Sequence, residues 1–192
     1  MPLSPASPRQ HIHTRQVHCN GYRRDDGLWD IEGHLTDTKT YAFDSDYRGR
    51  VEAGDPVHEM WVRLTVDDDL IVRGVAAVTD KSPFPVCPAI APNFTRLMGL
   101  SIRPGFLSKV RERLGGVEGC THLVELMGPI ATTAYQTIYP YRHRLTRQSG
   151  DAPPQPPKAQ GRPRLIDTCH AFRSDGEIVK RLWPDHYTGA RS

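Results

Sequence analysis

The stretch GYRRDDGLWDIEGHLTDTKTYAF, residues 21–43, is the one whose reading decides the fold. Polar and apolar residues alternate on both sides of Asp25-Asp26-Gly27, and a short polar turn with a glycine between two alternating runs is the pattern of a β-hairpin. The spacing predicts strands over residues 13–23 and 28–39. Side chains of a strand alternate between faces, so Trp29, Ile31 and Leu35 share one face and Asp30, Glu32, His34 and Thr36 share the other. The plain explanation of such a polar stripe is a solvated face; lining a cavity, it would offer general acids and bases.

Working outward, residues 1–12 carry Pro2, Pro5 and Pro8 among Ser and Arg and are expected to form a disordered lead. Downstream, residues 44–56 read as a loop and residues 58–66 as an alternating strand with His58 at its mouth. Residues 70–78 return after Asp67-Asp68-Asp69 as a nearly continuous apolar run, which predicts a central strand covered on both faces. Pro83, Pro85 and Pro88 fix a loop that holds Cys87, ahead of a helix around residues 89–98. Phe106, Val110 and Leu114 fall at helical spacing, stopped by Gly115 and Gly116. Leu123, Met127, Ile130, Ala131 and Ala134 extend a helical stripe from about Gly119 to about Tyr139, where Pro140 is expected to end it. A single domain over residues 13–145 is then followed by a Pro-rich linker, 146–164, and by a C-terminal hairpin, 165–192, turning at Ser174-Asp175-Gly176 and packing on the same domain. Strands followed by helices predict an α+β class, an antiparallel sheet with helices packed on one face.

A chain of 192 residues with 38% hydrophobic content is long enough to bury a core without staples. Its 25 basic residues are interspersed with 22 acidic ones, so there is no electrostatic footprint for nucleic acid as the main partner. The N-terminus, MPLSPASPRQHIHTRQ, has no apolar core of a signal peptide, and no stretch is long and apolar enough to span a bilayer. A cytoplasmic protein with no membrane partner is expected, its cysteines 19, 87, 120 and 169 present as thiols or ligands instead of disulfides. Oligomeric state is left open, a homo-oligomer among the options.

The chemistry concentrates in GCTHLVEL, residues 119–126. Cys120 and His122 fall in the first turn of a helix, where unpaired N–H groups and the helix dipole favour a thiolate that attacks electrophiles or binds metal. The bland alternative is a small buried thiol and a capping histidine. His58 at a strand mouth and Cys87 in a proline-fixed loop are further donors at element edges. Cys169-His170 and His18-Cys19 repeat the pairing, but direct neighbours on a strand point to opposite faces, so they read as structural.

Two resemblances add to this reading. The run HEMWVRLTVDDDLIVRGVAAVTDKSPFPVCPAI, residues 58–90, followed by GLSIRPGFLSKVRERLGGVEGCTHLVELMGPIATTAYQ, residues 99–136, resembles the iron–sulfur cluster assembly scaffold domain. His58 stands at the place of that family's strand-leading Asp, Cys87 at its loop Cys, and Cys120 with His122 at its ligand pair; Pro56 replaces its first Cys, and Thr121 splits the pair in reversed order. The resemblance implies a scaffold-like core with added hairpins. It also implies that His58, Cys87, Cys120 and His122 close around one Zn²⁺ or Fe²⁺, ahead of an iron–sulfur cluster. Through YRRDDGLWDIEGHLTDTK, GCTHLVEL, ATTAYQT and DTCHAF the chain is also similar to a bacterial domain family of unknown function. That similarity implies catabolism of aromatic compounds, including a lyase that removes formaldehyde from lignin-derived phenylcoumarans. The expected function is a metal-dependent lyase acting on a small molecule, with Tyr22, Arg23, Arg24, Asp25, Asp30, Glu32, His34 and Lys39 supplying acids, bases and oxyanion partners. The alternatives are an iron–sulfur cluster or metal carrier and a structural-zinc interaction module.

Overall fold

The computed structural model describes residues 4–148, 162–163 and 165–189. The chain divides into two compact units, residues 1–141 and 142–192.

In the first unit, β1 (His13–Arg23) and β2 (Trp29–Lys39) form the predicted hairpin, in register from His13 opposite Lys39 to Arg23 opposite Trp29. The turn closes with Arg24 N–H donating to the Leu28 carbonyl at 2.9 Å and Leu28 N–H donating to Asp26 Oδ1 at 3.2 Å. Gly27, at φ 89°, takes the left-handed conformation that a side chain would oppose. Residues 44–56, expected as a loop, contain β3 (Phe43–Ser45) and β4 (Gly49–Val51), paired as a ribbon of their own. The chain then returns along β2 as β5 (Pro56–Val66) and turns into β6 (Val72–Lys81), giving an antiparallel sheet ordered β1-β2-β5-β6. β6 is therefore an edge strand and not the central one its apolar run suggests. It lies at the edge because β5 takes β2 as its other neighbour, and Val78 is left 47% exposed.

One face of the sheet carries the core. Trp29, Ile31, Leu35, Met60, Val62, Leu64, Val66 and Val72 are buried against Phe94, Leu97, Phe106, Val110, Leu114, Leu123, Leu126 and Ile130 from the helical half of the unit. An antiparallel sheet with one packed and one open face gives the observed alternation of buried and exposed residues along β5. The segment Cys87–Leu97 is a 3-10 helix, since Pro88 and Pro92 remove N–H donors that an α-helix would use. α1 (Phe106–Leu114) has the predicted buried stripe, Phe106, Val110 and Leu114. The helix expected from Gly119 divides into α2 (Thr121–Glu125) and α3 (Met127–Gln148), and Pro140 sits within α3 without ending it.

In the second unit the expected C-terminal hairpin is replaced by short helices, the 3-10 turn His170–Phe172, α4 (Glu177–Leu182) and the 3-10 turn Pro184–His186. Gly176 caps a helix instead of turning a hairpin: Glu177 opens α4 and Lys180 with Arg181 closes it, the charge order that a helix dipole favours. Most of the expected linker, residues 149–161 and 164, lies outside the described residues.

Candidate metal centre

Continuing the alternation of β2 two residues beyond Leu35 places Asp37 on the apolar face, where it is 1% exposed. Arg15 of β1 pairs with Asp37 across one side and His58 of β5 across the other, so Arg15, Asp37 and His58 form one row over three strands. The row ends at a β-bulge between Asp37 and Thr38. The fourth member comes from the helical layer. Cys120 is extended, at φ −112° and ψ 128°, and turns the chain into α2, which packs on β5 and brings the His122 ring over His58 with centroids 3.9 Å apart.

The Asp37 carboxylate is gripped on all sides. Arg15 Nε donates to Oδ1 and Arg15 Nη2 to Oδ2, each at 2.8 Å, the two-pronged geometry that makes guanidinium–carboxylate pairs strong. His13 Nε2 lies 3.1 Å from Oδ1, His58 Nδ1 3.1 Å from Oδ2, and His122 Nε2 3.8 Å from Oδ2. Arg15 also reaches Glu125 of α2 through Nη1, tying the helix to the row. Burial by itself pushes Asp37 up, but the hydrogen bonds and charge of Arg15, joined by His13 and His58, outweigh it and hold the carboxyl below the usual range. His58 is pushed below the ordinary imidazole value by burial and then by the His122 charge, against the pull of Asp37. His122 is pushed down by burial and then by Arg15, against Asp37 and Glu125. Both rings are thus held neutral and able to donate a lone pair.

Asp37, His58 and His122 offer one donor atom each, all within 4.8 Å of one another, and this group, a buried carboxylate with two half-buried imidazoles, could hold a metal ion. Ligands of a tetrahedral Zn²⁺ with bonds of about 2.0–2.1 Å stand roughly 3.3 Å apart. The 3.1 and 3.8 Å separations from Asp37 Oδ2 bracket that distance. Two imidazoles and a carboxylate are the donor set of open zinc and non-haem iron sites, which keep positions free for water or substrate.

Of the four expected ligands, the structure brings His58 and His122 together and leaves the cysteines outside the converging group. Cys120 Sγ lies 3.9 Å from His122 Nδ1 and 3.9 Å from Met60 Sδ, as a neighbour in the packing. Cys87 opens the 3-10 helix after β6. An iron–sulfur cluster, which is held by thiolates, does not find its ligand set at this centre.

The expected acid–base stripe lies on the other face of β2, pointing away from Asp37. Asp30 accepts from Thr65 Oγ1 at 2.6 Å, Arg63 lies 3.5 Å from Glu32, and His34 stacks on Trp61 at 3.6 Å while facing Glu59 at 3.2 Å. Tyr22 is 48% exposed on the same open side. Arg23 sits over the Trp29 ring at 4.6 Å, and Arg24 pairs with Asp26 at 2.6 Å beside Asp25 in the turn. Lys39 donates to the Tyr41 hydroxyl at 2.9 Å. Cys19 packs against the core as expected of a structural thiol, and burial raises its pKa despite a hydrogen bond with Thr133. Cys169 and His170, expected on a strand, stand at the start of a 3-10 turn, with Cys169 exposed.

Arg15 and Asp37 are the participants that reading the sequence passed over. A signal for Asp37 was present: a carboxylate at odd parity with Trp29, Ile31 and Leu35 falls on the apolar face, where a charge needs partners.

The chain belongs to the DUF2889 family of proteins of unknown function, which it matches over residues 13–136, a span that holds the whole of this centre. Neither a curated protein nor a solved structure matches it. Among the described residues, no helix is long and apolar enough to cross a membrane.

Proposed function

We propose that this member of the DUF2889 family is a metal-dependent enzyme acting on a small molecule, with Asp37, His58 and His122 as ligands of a single Zn²⁺ or Fe²⁺. The observation that carries the reading is the number of converging donors. Four protein ligands would close a tetrahedral site and make it structural, whereas three leave room for a reacting group. A metal so held polarises an oxygen of the substrate or lowers the pKa of a bound water.

The reaction class we assign is a lyase that releases formaldehyde from a lignin-derived aromatic substrate such as a phenylcoumaran. A base takes the proton of the primary alcohol, the adjacent C–C bond breaks and formaldehyde leaves. The freed electron pair forms a C=C bond and expels phenolate, whose charge needs a cation. With His58 as a ligand, the metal would supply the base through the water whose pKa it lowers; without a metal, Asp37 orients His58 through Nδ1 and His58 is the candidate base. The support for this substrate is the resemblance described above; the support for the centre is its geometry.

A second reading follows from the hydrogen bonding of Asp37, whose oxygens are already engaged by Arg15, His13 and His58. In it, Asp37 and His58 act as a metal-free dyad. Elemental analysis of freshly purified protein, with formaldehyde release assayed before and after chelation, decides between the two. Activity lost on chelation and restored by Zn²⁺ or Fe²⁺ supports the metal; activity indifferent to chelation supports the dyad. No formaldehyde from any phenylcoumaran removes the proposed reaction.

A further inference from the structure

Asp37 has no acceptor position to spare. A carboxylate oxygen carries two lone pairs. Oδ1 faces Arg15 Nε and His13 Nε2, while Oδ2 faces Arg15 Nη2 and His58 Nδ1. An ion that binds Oδ2 therefore displaces one partner. His58 is the one that would yield without loss, because its ring would itself serve as a donor to the ion, its proton then resting on the other ring nitrogen. The fork of Arg15 stays where it is.

Arg15 thus remains as a fixed positive charge on the anionic ligand. Its other partner, Glu125, is 50% exposed at the side chain and screened by water, whereas the Asp37 side chain is 2% exposed. The guanidinium charge is felt most directly by Asp37, which it hydrogen-bonds through both oxygens. A carboxylate neutralised in this way is a weak ligand for ions that bind through oxygen anions, while the two imidazoles, though Arg15 lowers their basicity as well, bind as uncharged nitrogen donors.

We propose that Arg15 sets the metal preference of this centre, acting through Asp37 so that it accepts borderline ions such as Zn²⁺, Co²⁺ and Fe²⁺ and refuses the harder Mn²⁺, Mg²⁺ and Ca²⁺. Hard ions draw their binding from oxygen ligands and anionic charge, and borderline ions draw much of theirs from imidazole nitrogen. The inference rests on the reading of Asp37, His58 and His122 as ligands and adds to it a residue that selects the ion without touching it.

The test is calorimetric titration of the full chain, stripped of metal, with ZnCl₂, CoCl₂, MnCl₂ and MgCl₂. Wild type is expected to bind Zn²⁺ and Co²⁺ and to bind Mn²⁺ and Mg²⁺ far more weakly. In Arg15→Gln the affinity for Mn²⁺ rises about tenfold or more as the opposing charge is removed, and the Zn²⁺-to-Mn²⁺ ratio narrows. Arg15→Met is made alongside, so that a folding failure of one neutral variant leaves the other. Arg15→Lys, which retains the charge, keeps the wild-type ratio. A clamp with only a structural role predicts the opposite sign, weaker binding of every ion with the ratio unchanged, and that result overturns the inference alone, as does a lysine variant that behaves like the neutral ones. Wild type that binds none of these ions overturns the metal reading of the centre as well.

Discussion

Asp37 Oδ2 and His58 Nδ1 lie 3.1 Å apart, a carboxylate and an imidazole from neighbouring strands meeting on the covered face of the sheet. The pairing binds the pH response of the fold to that of the centre. His58 and His122 both titrate below the ordinary 6.5, and Asp37 below the ordinary 3.8. Below 6.5 the unfolded chain takes up protons that the folded imidazoles refuse, so stability is complete above that value and declines as the pH falls toward the folded pKa values. Asp37 adds a second loss further down, as the pH passes through its own depressed value. Thermal melts between about pH 7.5 and pH 5 should show Tm falling with pH, and His58→Gln should flatten that slope. A wild-type Tm that does not move across this range contradicts the half-buried neutral imidazoles.

Ligand assignments separate cleanly by substitution. His122→Ala and Asp37→Asn should abolish stoichiometric Zn²⁺ binding, whereas Cys87→Ala should leave it intact, since its thiol lies outside the converging group. Retention of metal by Asp37→Asn together with its loss in Cys87→Ala would return the site to the sulfur-containing set.

The polar stripe on the open face should be dispensable for the centre. Glu32→Gln and His34→Ala alter partners that face Arg63, Glu59 and Trp61, not Asp37. Metal affinity should stay within about twofold of wild type, and stability should shift by roughly 0.5–1.5 kcal/mol at most, the worth of an exposed pair or a ring stack. A large drop in affinity for either variant would mean the two faces communicate.

Close packing of α3 on the sheet depends on a missing side chain. A Cβ at Gly33 would stand 2.8 Å from Cδ1 and 2.9 Å from Cγ1 of buried Ile130. Gly33→Ala should therefore cost about 1–3 kcal/mol in urea unfolding, as overpacked cores do. A neutral or stabilising result would show that Ile130 can move aside.

Between β5 and β6, Asp67 accepts N–H bonds from Asp69 and Ile71 at 2.9 Å each and a bond from Arg73 Nε at 2.7 Å. Asp67→Ala removes the acceptor of two turn amides, of which the exposed Asp69 N–H can turn to water, and should lower stability by about 0.5–1.5 kcal/mol. Asp67→Asn, which keeps one acceptor oxygen, should recover part of that; equal losses in the two variants would point to the Arg73 ion pair as the dominant contact.

Much of the centre's scaffold was legible because it is local. The Asp25-Asp26-Gly27 turn has its own chemistry, and period-two alternation assigns Trp29, Ile31 and Leu35 to one face without reference to any partner. The α1 stripe of Phe106, Val110 and Leu114 is equally self-contained. Edge or central position was not legible for β6, since an apolar run records burial but not which strand supplies it. The C-terminal segment misled for a related reason: Ser174-Asp175-Gly176 suits a turn before a helix as well as one between strands.

What the sequence by itself determined, then, is the hairpin, the alternation that sends Asp37 to the apolar face, and the two histidines at element edges. Only the tertiary structure decided their meeting. Pairing β5 with β2 sets His58 beside Asp37, and the docking of α2 on β5 lays His122 over His58. The same long-range packing leaves Cys87 outside the group, because a donor's place around an ion depends on strand order and helix placement, which spacing along a chain does not encode.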